Sequence, residues 1–134
     1  MKAIRLLSTT AIFLGALFVV GPALAEDSEN RKELKRIDLS GSPEMEVISS
    51  ISEYKPGEVV GRHFHHGVES GYFVQGGMIQ PPGKDPIKIP TGAPIMNERG
   101  VPHAGFKVVG DMPLKIFTVH IVDKGKPLYE WVDK

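Results

Sequence analysis

The sequence predicts an all-β protein, one domain of about eight short strands. The 134 residues include 15 Gly and 11 Pro, and these turn-forming residues are spread along the whole chain. Such spacing leaves little room for long helices. Between the turn residues, several short segments alternate apolar and polar side chains, which is typical of strands. We therefore expect a sandwich or a barrel.

Residues 1–25 are expected to be a secretory signal peptide and not part of the fold. Lys2 and Arg5 give a positive start, residues 6–20 are mostly apolar, and Ala23 and Ala25 form an A-x-A cleavage site. An uncleaved anchor is the alternative. The chain has no Cys, which excludes a lipoprotein. The expected location is the periplasm or the extracellular space, with no membrane contact after cleavage.

Residues 26–42 are polar and highly charged, and we interpret them as an N-terminal arm. Its first half is expected to be flexible. The part from Leu34 to Leu39 is expected to dock as an edge strand or a short helix. The barrel domain then extends over residues 43–134.

Alternation and turn signals place the strands of the barrel domain. Lys55-Pro56-Gly57-Glu58 has the signature of a type II turn, and Gly76-Gly77 and Gly110-Asp111 indicate hairpins. The predicted strand segments are 44–54, 59–65, 70–75, 78–80, 87–89, 95–96, 103–109 and 114–122. Residues 128–132 are interpreted as a tail.

Composition excludes several classes of function. Without Lys2 and Arg5, residues 26–134 carry 14 basic and 16 acidic side chains, a formal net charge of −2. A nucleic-acid binder would show a basic excess, so none is expected as a partner. The absence of Cys excludes disulfides, a thiolate metal site and a Cys nucleophile.

The residues that point to chemistry lie between Gly57 and Glu69. His63 and His65 are two positions apart, so a strand would place both side chains on one face, roughly 6.6–6.8 Å apart along the chain. A turn after them would bring Glu69 back toward the same point, and His103 would come from a later strand. Imidazoles with a carboxylate suit Mn, Fe, Co, Ni, Cu or Zn and suit Ca or Mg poorly. By itself, a His-x-His pair is often only part of a polar surface and binds no metal.

The glycine frame around these residues resembles the cupin family. The first cupin motif is G(X)5HXH(X)3–4E(X)6G, and every position has its match in this sequence, at Gly57, His63, His65, Glu69 and Gly76. The second motif is G(X)5PXG(X)2H(X)3N, and here Gly92, Gly100 and His103 match. Glu98 stands where Pro is usual and Lys107 where Asn is usual.

The resemblance implies a double-stranded β-helix, a jelly-roll barrel, that binds one divalent transition metal (Mn, Fe, Ni, Cu or Zn) through His63, His65, Glu69 and His103. Together with the signal peptide, it implies an exported metal protein that binds or converts a small molecule. A dioxygenase-type reaction is the most natural conversion, with Glu69 as ligand and, on loosening, as base. A non-enzymatic metal or small-ligand binding module is the alternative, and a structural metal that pins the fold is a third. It also implies a homodimer formed by exchange of the N-terminal arms.

The roles of other polar residues stay open at this point. His120 shares one face of its strand with Ile116 and Thr118, and it lines the cavity only if that face points inward. His66 should point away from His65, because neighbouring side chains on a strand face opposite sides. For the same reason Arg62 should point away from His63. Glu98 and Arg99 are interpreted as a solvated turn, with contact to a polar ligand as the alternative.

Large apolar residues outside the motifs are interpreted as packing. We expect the aromatic rings and two methionines to fill the core, namely Phe64, Tyr72, Phe73, Phe106, Phe117, Met78 and Met96. Trp131 is expected to cover a barrel edge or a neighbouring subunit.

Overall fold

The structure, a computed structural model, describes residues 28–132 and consists of β-strands and turns. This confirms the predicted all-β class. The eleven strands are β1 Arg31–Asp38, β2 Met45–Tyr54, β3 Val59–Val60, β4 His63–Phe64, β5 Gly67–Gln75, β6 Gly77–Gln80, β7 Ile87–Ile89, β8 Pro94–Asn97, β9 Phe106–Val109, β10 Leu114–Asp123 and β11 Glu130–Trp131. The predicted signal peptide lies outside the described residues and stays a prediction.

The strands form two larger sheets and a small one, with antiparallel pairing throughout. The first sheet has five strands in the order β1-β2-β10-β5-β8, and the second has four in the order β3-β9-β6-β7. Strands β4 and β11 make the two-stranded sheet. Apart from β1 and β2, neighbours in the five-stranded sheet are distant in sequence, so the sheet brings four separate segments of the chain side by side.

The apolar core joins the two larger sheets. Tyr54 and Leu114 from the five-stranded sheet pack with Val60, Ile79 and Val108 from the four-stranded sheet. Val108 and Leu114 are completely buried. The polar site described below adjoins this core, because Tyr54 and Val60 line the same cavity as His63 and Glu69.

The predicted strand over residues 59–65 is interrupted in the structure. It divides into β3 and β4 at Gly61, and His65 follows β4 in an irregular segment. A Cβ atom at Gly61 would lie 2.9 Å from the ring of Trp131, so the C-terminal segment packs directly on this break. Strand β5 begins at Gly67, three residues earlier than predicted, and it already contains Glu69.

Gly67 lets β5 approach β10 closely. A Cβ atom at this position would lie 2.0 Å from the carbonyl oxygen of Ile121, a distance that no side chain can occupy. The pairing that follows places Glu69 directly opposite His120 in the register of the two strands.

The outward face of the five-stranded sheet is more apolar than predicted. Tyr72 is 46% exposed and Met96 is 68% exposed, so the prediction that they fill the core is wrong. The ring of Tyr72 instead contacts Phe117 on this outer face, at 5.9 Å between centroids. Phe73 and Phe106 do pack against the core. The more polar face of β2, with buried Ser50 and Ser52, is the one that points inward.

Part of the N-terminal arm forms the edge strand β1, which pairs with β2 of the same chain. This is the strand alternative of the prediction, and it begins at Arg31 instead of Leu34. Leu34 and Ile37 on β1 are 49% and 56% exposed. Within residues 28–132, no helix is long and apolar enough to cross a membrane.

Candidate metal centre

The four predicted metal ligands lie together inside the barrel. His63 is in β4, His65 follows it, and Glu69 is in β5. His103 reaches them through an isolated antiparallel bridge to His63, with backbone hydrogen bonds of 2.8 and 3.2 Å. His65 is completely buried, and His63 and Glu69 are 5% and 8% exposed.

Ligand atoms of three of these residues are close enough to share one ion. The Nε2 atoms of His65 and His103 are 3.2 Å apart. Oε2 of Glu69 is 3.3 Å from each of them. Two ligand atoms on one metal ion with bonds of about 2.1 Å lie roughly 3.0–3.4 Å apart. A ring nitrogen of His63 lies within 4.8 Å of ring nitrogens of His65 and His103.

The backbone fixes which ring nitrogen of each histidine faces the centre. Nδ1 of His63 lies 2.7 Å from the carbonyl oxygen of Gly61, and Nδ1 of His65 lies 2.5 Å from that of Leu128. Nδ1 of His103 lies 3.0 Å from the carbonyl oxygen of Val101. A carbonyl only accepts, so each Nδ1 carries the proton and donates it. This is the tautomer and the outer contact that metal-binding histidines usually have.

The residues therefore fit a bound cation. With Nδ1 protonated, each neutral imidazole presents the lone pair of Nε2, and these lone pairs face each other and a carboxylate. Acceptor atoms about 3.2 Å apart in a buried site are unsatisfied unless a cation lies between them. Neutral imidazole with carboxylate is a donor set for a divalent transition metal.

Burial keeps the imidazole of His63 in the form that binds metal. Desolvation lowers the pKa of His63 to about 4, so this ring is neutral at pH 7. Desolvation alone would raise the pKa of Glu69, but contacts with His103, His120 and His65 outweigh it and lower that pKa. The site thus presents a carboxylate and a neutral imidazole, and a metal needs both in those forms.

Two polar residues beside Glu69 complete the cluster. Asn97 on β8 donates from Nδ2 to Oε2 of Glu69 at 2.6 Å. His120 on β10 lies on the other side, with Nε2 3.3 Å from Oε1. His65, Glu69 and His120 form a second group whose ligand atoms lie within 4.8 Å of one another. Strand alternation indicated two faces for His120 without deciding between them, and no motif indicated Asn97.

The segment predicted as a tail closes one side of the site. Strand β11 pairs with β4. Tyr129, just before β11, is 6% exposed, and its ring lies 4.7 Å from that of His63 and 5.1 Å from that of His65. Trp131 stacks on Tyr129 at 5.3 Å between centroids. Trp131 therefore covers the barrel within its own chain.

The other polar candidates face away from the centre. His66 is paired with Glu130 at 3.1 Å. Arg99 is exposed and makes two contacts with Asp123, at 2.7 and 3.0 Å. Glu98 and Lys107 are exposed, the latter on β9. The interpretation of Glu98 and Arg99 as a turn outside the site agrees with these positions.

A cavity of about 190 Å³ opens onto the ligand atoms. His63, Glu69 and His103 are among the residues that line it. Its other walls are mostly apolar, and they carry a few hydroxyl and amide groups. They consist of Ser52, Tyr54, Val60, Phe73, Ile95, Asn97, Ala104, Phe106, Ile116, Thr118 and Tyr129. No lysine or arginine is among these lining residues.

Comparison with known proteins gives the fold. A protein with a double-stranded β-helix domain from Klebsiella pneumoniae matches 90% of this chain and 99% of its own, at 15% identity and a TM-score of 0.53. The chain has the cupin fold. A scan of protein-family models and a search of curated proteins gave no match.

Two further cupin-like structures are similar over part of their length. The polyketide cyclase RemF from Streptomyces resistomycificus matches over 79% of this chain and 75% of its own, at 19% identity and a TM-score of 0.51. The DMSP lyase DddQ from Ruegeria pomeroyi matches over 60% of this chain, at 17% identity and a TM-score of 0.47. This chain spans only 40% of DddQ. At these identities the likeness concerns the fold.

Proposed function

We propose that this cupin holds one divalent transition metal through His63, His65, Glu69 and His103 and uses it to bind and convert a small molecule. One observation carries the proposal: the Nε2 atoms of His65 and His103 and Oε2 of Glu69 lie 3.2–3.3 Å apart, and Glu69 and His103 line an open cavity. Four protein ligands leave positions free on a metal that accepts five or six. Export remains a prediction from residues 1–25.

The cavity supports a compact, mainly apolar ligand. A cavity of about 150 Å³ lined by apolar side chains is known to hold benzene, so about 190 Å³ fits a molecule with one ring. With no cationic side chain on the walls, a carboxylate on the ligand body would go unpaired. We therefore propose a small uncharged ring compound whose oxygen atoms face the metal, with the hydroxyls of Ser52 and Thr118 nearby.

We propose a dioxygenase-type reaction as the conversion. A bound Fe, Mn or Cu would supply Lewis-acid and redox chemistry at this point. The chain supplies the walls that exclude water and the carboxylate of Glu69, which would act as a metal ligand and, on loosening from the metal, as a base toward a ligand hydroxyl. The alternative is a module that binds a metal or small ligand without turnover, and it needs the same residues.

Oxygen uptake distinguishes the reaction from binding alone. We expect protein loaded with Fe²⁺ to consume O2 with catechol and not with a flavonol, whose extra rings exceed the cavity. Phe106→Trp, which narrows the cavity, should slow uptake, whereas Phe64→Trp outside its lining should not. His65→Ala provides the background rate. Catechol binding without O2 uptake would instead support the binding module.

We also propose that the protein forms a homodimer by exchange of β1. This strand lies at the edge of the five-stranded sheet and is joined to β2 by a short turn, so the same pairing is available to β2 of a second copy. Sedimentation at micromolar concentration should show a dimer, and removal of residues 26–42 should convert it to a monomer. A monomer of the full chain would contradict the proposal.

A further inference from the structure

His120 is a buried histidine that no motif assigns to the site. It lies in the middle of β10, its side chain is 0% exposed, and it is paired in register with Glu69 on β5. A buried polar ring in a small core is costly unless it has a partner.

The contacts of His120 differ from those of the other three site histidines. Each of those donates from Nδ1 to a backbone carbonyl. Within the described part of the chain, neither ring nitrogen of His120 makes an aligned hydrogen bond. The nearest acceptor shown is Oε1 of Glu69, 3.3 Å from Nε2. A neutral imidazole carries one N–H, and the nitrogen of His120 that faces an acceptor is Nε2.

The carboxylate of Glu69 has different neighbours on its two oxygens. Oε2 faces the Nε2 atoms of His65 and His103 and accepts a hydrogen bond from Asn97. Oε1 faces His120. The three strands β10, β5 and β8 are adjacent in the sheet, so the carboxylate lies between Asn97 on one neighbouring strand and His120 on the other.

We infer that His120 is a positioning residue for Glu69. Its Nε2–H donates a hydrogen bond to Oε1, so that only Oε2 is available to the metal. The inference rests on the metal centre proposed above. A carboxylate with both oxygens free can bind a metal through either or both. With Oε1 occupied, Glu69 takes one coordination position only, which leaves the others for a small molecule.

Binding of Co²⁺ tests this role, because its visible absorption reports coordination geometry. We expect His120→Leu to weaken Co²⁺ binding by about 10–100-fold, as for other outer contacts of metal ligands, and to change the Co²⁺ spectrum. His120→Gln keeps an N–H donor and should recover part of the affinity. His66→Leu, which removes a histidine paired with Glu130 outside the site, should leave both unchanged.

Stability without metal separates positioning from packing. In EDTA, His120→Leu is expected to unfold at a lower denaturant concentration than wild type, because Oε1 of the buried Glu69 carboxylate loses its donor, and His120→Gln should recover part of the difference. Should that variant fail to fold, the tautomer of His120 in the Zn²⁺-loaded wild type decides. Nitrogen chemical shifts typical of Nε2–H support the inference, and shifts typical of Nδ1–H overturn it.

The outcomes distinguish this inference from the proposed function. Wild type that binds no Co²⁺ overturns both. Wild type that binds while His120→Leu binds equally well with the same spectrum overturns only the role of His120. Pulsed EPR of the Cu²⁺-loaded protein gives a further check. If His120→Leu removes one imidazole from the Cu²⁺ ligands, His120 is itself a ligand and the positioning role is wrong.

Discussion

Replacing His65 with alanine is expected to abolish tight binding of a divalent transition metal. His65 is the completely buried member of the predicted ligand set and belongs to both groups of residues that could hold an ion. Its Nε2 lies 3.2 Å from Nε2 of His103 and 3.3 Å from Oε2 of Glu69. Loss of an outer contact already weakens metal binding by about 10–100-fold, so we expect loss of this ligand to exceed about 100-fold.

Calorimetric titration with Co²⁺ or Zn²⁺ measures this effect. The matched control is His66→Ala, which changes the neighbouring histidine on the opposite side of the chain. That variant should keep the affinity of wild type. Equal affinity in wild type and His65→Ala would show that the metal binds somewhere else and would contradict the proposed centre.

The metal-free protein is expected to lose stability as the pH falls from about 6.5 toward 4. Burial lowers the pKa of His63 in the folded protein to about 4, from its ordinary value of 6.5. Between these values the unfolded chain binds a proton that the folded protein does not, so acid favours unfolding. The lowered pKa of Glu69 acts in the same direction at lower pH. The His63 contribution reaches about 3 kcal/mol in the free energy of unfolding.

Denaturant unfolding in EDTA at pH 7, 5.5 and 4 measures this pH dependence. In His63→Leu the part that comes from His63 should disappear, so its curve should be flatter than that of wild type. His66→Leu serves as the control, because its ring is outside the cluster. A wild-type stability that does not change with pH, or an equal slope in His63→Leu, would contradict a buried neutral His63.

The sequence predicted the elements and residues that follow local rules. Gly57 is at the predicted position of the type II turn, with a positive φ of 95°, and the amide of Glu58 donates to the carbonyl of Lys55. Strand β7 has the predicted bounds, and β10 ends one residue later than predicted. The motif correctly predicted that His63, His65, Glu69 and His103 lie together. Its spacing includes the turn that leads from the two histidines to the strand of Glu69.

Long-range pairing decided what the sequence left open. Alternation in β10 predicts that Thr118 and His120 share a face. Which face points inward depends on the pairing of β10 with β2 and β5. Asn97 and Tyr129 lacked a local signal, because each reaches the site through an element far away in sequence. Tyr72 and Met96 appeared to belong to the core because apolar residues occur on both faces of the five-stranded sheet.

The central claim is that this cluster holds a metal in the working protein. The most direct test is elemental analysis of the protein purified from its native host, compared with a His63→Ala/His65→Ala variant purified in the same way. We predict close to one transition-metal ion per chain in the wild type and none in the variant. A wild type without metal, or equal metal content in both proteins, would contradict it.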